Sequence, residues 1–349
     1  MVRAWSILMK LSIIIPCFNE SLYLARCINS LLENDFPHNE LEILIVDGGS
    51  TDGTIDIIKG YMEKFSFITL IHNRKRLKPI ALNMGIKAAV GDVIMRIDAH
   101  AIYDKNYMSE LVQGLYSEGV DNIGGIRDTY IPNEGSAMEI TLSEAISHPI
   151  VVGGAYYRTG AISEKKLVDT VFCGCYRKEI FNKIGLFNEK LIRTQDREFN
   201  TRLIESGGKI MLDPNVRCTY YPRTKFLEYL KWNWKGAEWL GYAKRFTDCN
   251  MLSSRNYIPI LFSLYVVSIV FIGLYFLVQD VSFVFLLIAL LPLMLYFILV
   301  SKAGIGLFKR HKRFGVLVLF PLVAFLTHVL YGVAFLWGRM RALLSRNKD

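Results

Sequence analysis

Three apolar runs, at residues 258–278, 281–300 and 314–337, constrain this chain more than any other feature. Each is roughly 20 residues or longer, enough to cross the ~30 Å hydrocarbon core of a bilayer as a helix. Only Gln279 and Asp280 separate the first two, so a tight helical hairpin is expected, with its turn outside. Residues 301–313 carry Lys302, Lys309, Arg310, Lys312 and Arg313 and no acid, as a cytoplasmic segment should. If the third run crosses fully, the basic tail 338–349 lies outside; a re-entrant or broken helix at Pro321 would keep both basic flanks inside. Sequence leaves both topologies open. His328, in that run, is either part of a lipid-substrate path or a neutral donor between packed helices.

Of 349 residues 52% are hydrophobic and 21% charged, which excludes a disordered chain. Forty-one Lys and Arg against 32 Asp and Glu leave a net charge of +9. Much of that surplus (Lys309, Arg310, Lys312, Arg313, Arg339, Arg341, Arg346, Lys348) flanks the apolar runs. Membrane anchoring and anionic lipid explain it, and no nucleic-acid partner is expected. The six cysteines form neither a CxxC pair nor a zinc spacing, so they read as reduced thiols. Residues 1–10 lack the apolar core and cleavage site of a signal peptide, so export of the front of the chain is not expected. Gly304-Ile-Gly306 has no strand before it and is not a phosphate loop.

From Leu11 short β-rich runs alternate with amphipathic stretches. Strands are expected at 12–15, 41–46, 68–72 and 93–97, with helices near 21–33, 54–64 and 79–90. This is the cadence of an α/β fold with a mainly parallel sheet flanked by helices. In such sheets ligands bind beyond the carboxyl ends of the strands. There the sequence reads SIIIPCFNE (12–20), IVDGGSTDGT (45–54) and IMRIDAHA (94–101). Asp47 stands at a strand tip ahead of glycines that permit close backbone approach. Asp52 and Thr54 are placed to cap the next helix.

These three stretches, in this order, resemble the donor half of family 2 glycosyltransferases, inverting enzymes of the GT-A fold that use nucleotide-diphosphate sugars. The resemblance runs over roughly residues 11–245. It implies a nucleotide-sugar site built from Pro16, Phe18, Asn19, Glu20, Asp47 and Asp98, with Arg76 and Asn83 near the nucleotide. Asp98-Ala-His100 matches the family's Asp-x-Asp position, with histidine as the last ligand. Asp98 and His100 are thus the expected holders of a divalent metal. Imidazole beside carboxylate suits Mn²⁺ better than Mg²⁺, and the polypeptide N-acetylgalactosaminyltransferases use a similar Asp-x-His pair. Many relatives carry a second acid where this chain has Gly48, which leaves the base unread.

Residues 171–203 resemble the acceptor side of the same family, with Cys173 and Gly174 on a strand and Gln195-Asp196 opening a helix. Asp196 stands where relatives have the acid of a Glu-Asp pair and is the expected general base. Replacement of the preceding acid by Gln195 removes a like charge beside it. Glu198 is the second candidate base, but two residues along a helix it faces away from Asp196. As alternatives, His100 is a turn residue, Asp52 only a cap, and Asp196 a cap or a partner of Arg197 or Arg202. Residues 220–246, including Arg223 and Trp232, are dense in aromatic and basic residues. They read as a site wall, as an interfacial amphipathic helix near 223–246, or as both.

The pattern is most similar to the succinoglycan-type exopolysaccharide glycosyltransferases. It implies a GT-A domain over 1–250 and a membrane domain over 251–349, in a multi-pass cytoplasmic-membrane protein whose catalytic domain faces the cytoplasm. The implied reaction moves one hexose, UDP-glucose being the donor expected, onto a polyprenyl-linked saccharide acceptor. A Gln-x-x-Arg-Trp signature is absent, which favours single additions over a processive synthase and translocator. Gly48 and Gln195 also admit a catalytically silent membrane scaffold.

Overall fold

The structure is a computed structural model that describes residues 9–279 and 283–346. Most of the N-terminal segment read for an export signal, the residues 280–282 of the hairpin turn and the last three residues of the basic tail lie outside them. The front of the chain follows the expected cadence: β1 (Leu11–Cys17), α1 (Leu24–Leu32), β2 (Leu41–Asp47), α2 (Thr54–Met62), β3 (Ile68–His72), α3 (Lys78–Ala88) and β4 (Val93–Arg96). Next come β5 (Ala101–Tyr103), α4 (Tyr107–Ser117), β6 (Asn122–Thr129), α5 (Ala137–Ala145), α6 (Pro149–Val152) and α7 (Tyr156–Thr159). They are followed by β7 (Lys166–Leu167), β8 (Cys175–Arg177), α8 (Glu179–Ile184), α9 (Gln195–Glu205) and β9 (Ile210–Tyr220). Four helices close the chain: α10 (Phe226–Tyr242), α11 (Ser254–Gln279), α12 (Phe283–His311) and α13 (Phe314–Arg346).

The strands form one mixed sheet in the order β3-β2-β1-β4-β8-β6-β9-β5, with β7 on β9. β1 pairs in parallel with β2 and β4, and β2 with β3, so their carboxyl ends share one edge. β8 then runs antiparallel to β4, and β9 antiparallel to β5. This is the GT-A transferase architecture. β1 is apolar on both faces because both are covered. Ile13 and Ile15 sit in a core with Leu24, Cys27 and Ile28 of α1, while Ile14 lies against Gly85 of α3, where a side chain would collide with it. Each such buried aliphatic contributes about 1.5–3 kcal/mol.

The chain divides into two compact units. One comprises residues 1–128 and 159–221 and holds the sheet; the other comprises 129–158 and 222–349. The second unit thus takes in residues 129–158 together with the C-terminal stretch. Residues 129–158, which carry α5 to α7, join it because their apolar faces pack with the apolar helices: Ile140, Leu142, Ala145 and Ile146 share a core with Leu307, Val316, Phe320 and Val323. α11, α12 and α13 are each long and apolar enough to cross a membrane. α13 runs unbroken through Pro321, so a break there does not occur.

α10 and α13 meet backbone to backbone. A side-chain carbon on Gly338 would strike the Glu238 carbonyl, and one on Gly241 would strike the Phe335 carbonyl, so these glycines set the helix separation. Gly338→Val should lower unfolding stability by about 1–3 kcal/mol through overpacking. Gly236→Ala, on the same α10 but in open space, should raise it by up to ~1 kcal/mol. Thermal unfolding of both variants in detergent checks the pair.

Candidate active site

The carboxyl ends of β1 and β2 carry two loops laced together by short polar side chains. Asn19 N–H donates to Ser50 Oγ at 2.8 Å, and Thr51 N–H donates back to Asn19 Oδ1 at 2.9 Å. Glu20 N–H donates to Thr54 Oγ1 and Ser21 N–H to Asp52 Oδ2. Asp52 also accepts from the Thr54 hydroxyl and N–H at the start of α2, so it fastens the helix start as well as the first loop. The Thr54 hydroxyl bond, with help from Ser21, holds the Asp52 carboxyl well below the usual carboxylate range.

Asp47, at the tip of β2, is fully buried. Its Oδ2 accepts from the Gly49 and Ser50 N–H groups at 2.7 and 3.0 Å, and its Oδ1 from the Ser50 hydroxyl at 2.5 Å. Its carboxylate thus shapes its own loop. Above it Phe18 is exposed, with the Arg76 guanidinium 5.9 Å from its ring centre. Gly48 and Gly49 back this shelf. A side chain on Gly48 would press the Phe18 ring at 3.3 Å, and Gly49, at φ +81°, lies against the Arg76 guanidinium. An aromatic face, a cation and bare backbone side by side form a surface for a planar base.

The second half of the site lies beyond β4. Arg96, the last residue of that strand, is buried, and its Nη2 donates to Asp98 Oδ1 at 3.1 Å while its Nη1 donates to Asp196 Oδ2 at 3.2 Å. Lys78 Nζ, in the first turn of α3, reaches Asp98 Oδ1 at 2.7 Å. Burial pushes the Asp98 carboxyl up, but Lys78, Arg96 and His100 more than offset it, so the group is held far below its ordinary range. Burial likewise raises Asp196, whereas Arg96, Lys78 and the Arg197 N–H bring it below the ordinary value. Both acids are therefore ionised at neutral pH. Glu198 is buried and spent on a bidentate pair with Arg202, and Arg202 also donates to the Ile184 and Leu186 carbonyls, fixing α9 to the loop after α8.

His100 donates Nδ1–H to Glu20 Oε1 at 3.1 Å, and its ring meets Tyr220 edge to face at 5.2 Å. A carboxylate on one ring nitrogen is the usual support for an imidazole that ligates through the other, which leaves Nε2 as the ligand atom. Asp98 Oδ1 is taken by Lys78 and Arg96, and among the described residues no group of three His, Cys, Asp or Glu side chains could hold a metal ion, so a divalent ion held by Asp98 and His100 would have to displace Lys78 and complete its shell from substrate oxygens and water.

Other candidates are placed elsewhere. Asn83 is buried and commits its amide to the Phe187 backbone and the Glu189 carboxylate, an internal clamp between α3 and the loop after α8. Cys173 and Gly174 are buried behind Asp98, where Tyr103 bridges the Asp98 carbonyl and the Cys173 thiol. Gln195 is buried at the first turn of α9, and Pro16 is half-buried within β1. Arg223 and Trp232 belong to the second unit, where Trp232 faces the Arg158 guanidinium at 5.7 Å. Sequence reading passed over Arg96 and gave Lys78 no role of its own. A lone arginine inside the apolar strand VIMRI was the available signal, because a buried guanidinium requires an anionic partner.

Residues 12–185 match the family described as Glycosyl transferase family 2. Over 232 residues the chain is 34% identical to the dolichyl N-acetyl-alpha-D-glucosaminyl phosphate 3-beta-D-2,3-diacetamido-2,3-dideoxy-beta-D-glucuronosyltransferase of Methanococcus voltae, covering 63% of this chain and 70% of that protein. It is 30% identical to the succinoglycan biosynthesis protein ExoA of Rhizobium meliloti, over 67% and 69% of the two chains. Among solved structures, a mannosyltransferase from Pyrobaculum calidifontis, in complex with GDP-Man and Mn²⁺, shares the fold with a TM-score of 0.55 at 16% identity, covering 92% of this chain and 87% of that one.

Removal of one partner from a buried ion pair typically costs about 3–5 kcal/mol, so Arg96→Met should destabilise the fold on that scale in denaturant unfolding. The two carboxyls have depressed folded pKa values. Their stabilisation is therefore present above the unfolded value near ~3.9 and is lost as pH falls through the folded values. The wild-type advantage should hold flat above about pH 5 and shrink only in strong acid.

Proposed function

The chain belongs to glycosyl transferase family 2, and from that premise we propose that it transfers a single hexose from a nucleotide-diphosphate sugar to a polyprenyl-linked saccharide at a membrane, with inversion at the anomeric carbon. The observation that carries this reading is the Arg96 fork, which joins the acid of the donor motif, Asp98, to the acid that opens α9, Asp196. The relatives named for dolichyl-phosphate-linked and succinoglycan glycan assembly support a lipid-borne acceptor. The apolar helices support a membrane location. The basic 301–313 segment supports a catalytic domain on the cytoplasmic side.

In this reading the nucleobase lies on the Phe18 shelf beside Arg76, where Asp47 keeps the loop in shape, with Asn19 and Glu20 locking its neighbour. Asp98 and His100 hold the divalent ion, with Glu20 orienting the imidazole. When bound, that ion neutralises charge on the departing nucleotide diphosphate. Lys78 then exchanges Asp98 for a donor phosphate oxygen. Asp196, ionised beforehand by Arg96, takes the proton of the acceptor hydroxyl as that oxygen attacks the anomeric carbon. The bond to the diphosphate breaks, and its electron pair leaves with the phosphate.

Calorimetric titration with UDP and GDP, each with and without Mn²⁺, tests the donor half. Metal-dependent binding of one nucleotide is expected, UDP first, and His100→Ala should weaken it. Absence of binding to folded protein would favour a silent scaffold. Asp196→Asn should lower kcat by roughly 10²–10⁴-fold, the scale of a lost general base, while leaving nucleotide affinity nearly unchanged; retained transfer would remove Asp196 from the role. Arg96→Met should move the acid limb of kcat/KM to higher pH, because Asp196 then loses the charge that keeps it ionised.

A further inference from the structure

α13 is two-faced toward both ends, and between 323 and 335 none of its residues is exposed. Val316, Phe320, Val323, Thr327, Ala334, Phe335 and Ala342 are buried, whereas Phe314, Val318, Leu322, Leu336, Met340 and Leu343 recur along the opposite face and are exposed. Of its apolar stretch 39% is buried within the protein, against 11% for each of α11 and α12. Its apolar character therefore has two sources, a face packed on protein and a face still needing an apolar environment.

Three helices of the same unit accompany it, and two of them, α5 and α10, carry charged residues. Near its start Gly315 lies against Ala137 of α5, and buried Glu144 of α5 takes Arg310 at 3.2 Å and His311 at 2.6 Å from the end of α12. At its middle His328 meets the Val151 carbonyl of α6 at 3.2 Å, and Thr327 meets the Tyr229 hydroxyl of α10 at 3.0 Å. Towards its end Arg341 pairs with Glu238 at 2.7 Å and covers the Tyr242 ring. α10 carries Glu228, Lys231, Lys235 and Glu238, with both lysines exposed. A charge at the bilayer centre costs at least ~2.5–3.5 kcal/mol, so α10 cannot accompany α13 through hydrocarbon.

Covalent reach points the same way. Only residues 130–136 separate β6 from α5, and only 221–225 separate β9 from α10. At ~3.3–3.6 Å per residue neither linker spans a ~30 Å core. α5 and α10 thus stay on the side of the membrane where the sheet lies, and both ends of α13 are tied to them.

We infer that α13 does not cross the bilayer but lies along its surface, with the Phe314–Leu343 face seated at the boundary of headgroups and acyl chains. Exposed Lys309, Lys312 and Arg313 at one end and Arg339 at the other suit the anionic headgroups of such a surface. α11 and α12 are then the crossing hairpin, which meets α13 at Phe325 and His328 through Phe262, Tyr296 and Phe297, while the end of α12 continues along the start of α13 through Gly304 and Leu307. The C-terminus returns to the side of the sheet.

Sidedness tests this independently of any catalysis. Lys64→Cys, Lys312→Cys and Ser345→Cys in the full chain are treated with a membrane-impermeant maleimide in right-side-out and inside-out vesicles, against the unsubstituted chain as background. All three should be labelled in the same preparation and protected in the other until detergent is added. Labelling of Ser345→Cys in the preparation opposite to Lys64→Cys would overturn the inference. A C-terminal epitope tag on the otherwise unaltered chain, read by protease protection in both preparations, decides between the same two results without a substitution.

Discussion

The guanidinium of Arg96 is the constraint around which the site is organised. It ends β4 in the buried layer of the sheet, where a lone cation would be untenable, and two carboxylates from distant parts of the chain answer it. Asp98 sits two residues further along the same strand end, while Asp196 arrives on α9. The arginine thus fixes the distance between the two carboxylates and keeps both ionised. Nothing flexible stands between them, because the fork is planar and each arm is spent on a different acid.

Around that fork, residues divide into those that shape and those that remain available. Asp47 and Asp52 spend their carboxylates on nearby backbone and hydroxyls, and Asn83 spends its amide on the Phe187 backbone and the Glu189 carboxylate, so they hold loops and helices in register. Phe18, Arg76, Lys78, His100 and Asp196 keep a face, a nitrogen or an edge directed outward. The two sets are interleaved in sequence, and adjacency in a motif does not separate them. Asp47 and Phe18 belong to the same lacework of loops, yet one is fully buried and the other is open to a ligand.

The second unit shows a related division of labour. Glycines 241 and 338 let α10 and α13 approach until their backbones touch, and one face of α13 is buried as core. α5 to α7, inserted between strands, supply part of that core. Hydropathy alone cannot distinguish a face that seeks lipid from one that seeks protein, since both are built from the same side chains.

The parallel strands, the helices between them and the identity of the strand-end motifs were legible in the residues themselves. Alternation and glycine-rich turns are local signals, and β3 at Ile68–His72 is read to the residue. Asp98, His100 and Asp196 were singled out through motif resemblance, which preserves residue type at a strand or helix end. What only the tertiary structure decided was the company each group keeps: Arg96 between two acids, Glu20 behind His100, Asn83 turned inward to Phe187, and α13 lined by α5, α6 and α10. Those contacts join residues far apart in the chain, and no local propensity or period encodes which distant partner satisfies a buried charge or covers an apolar face.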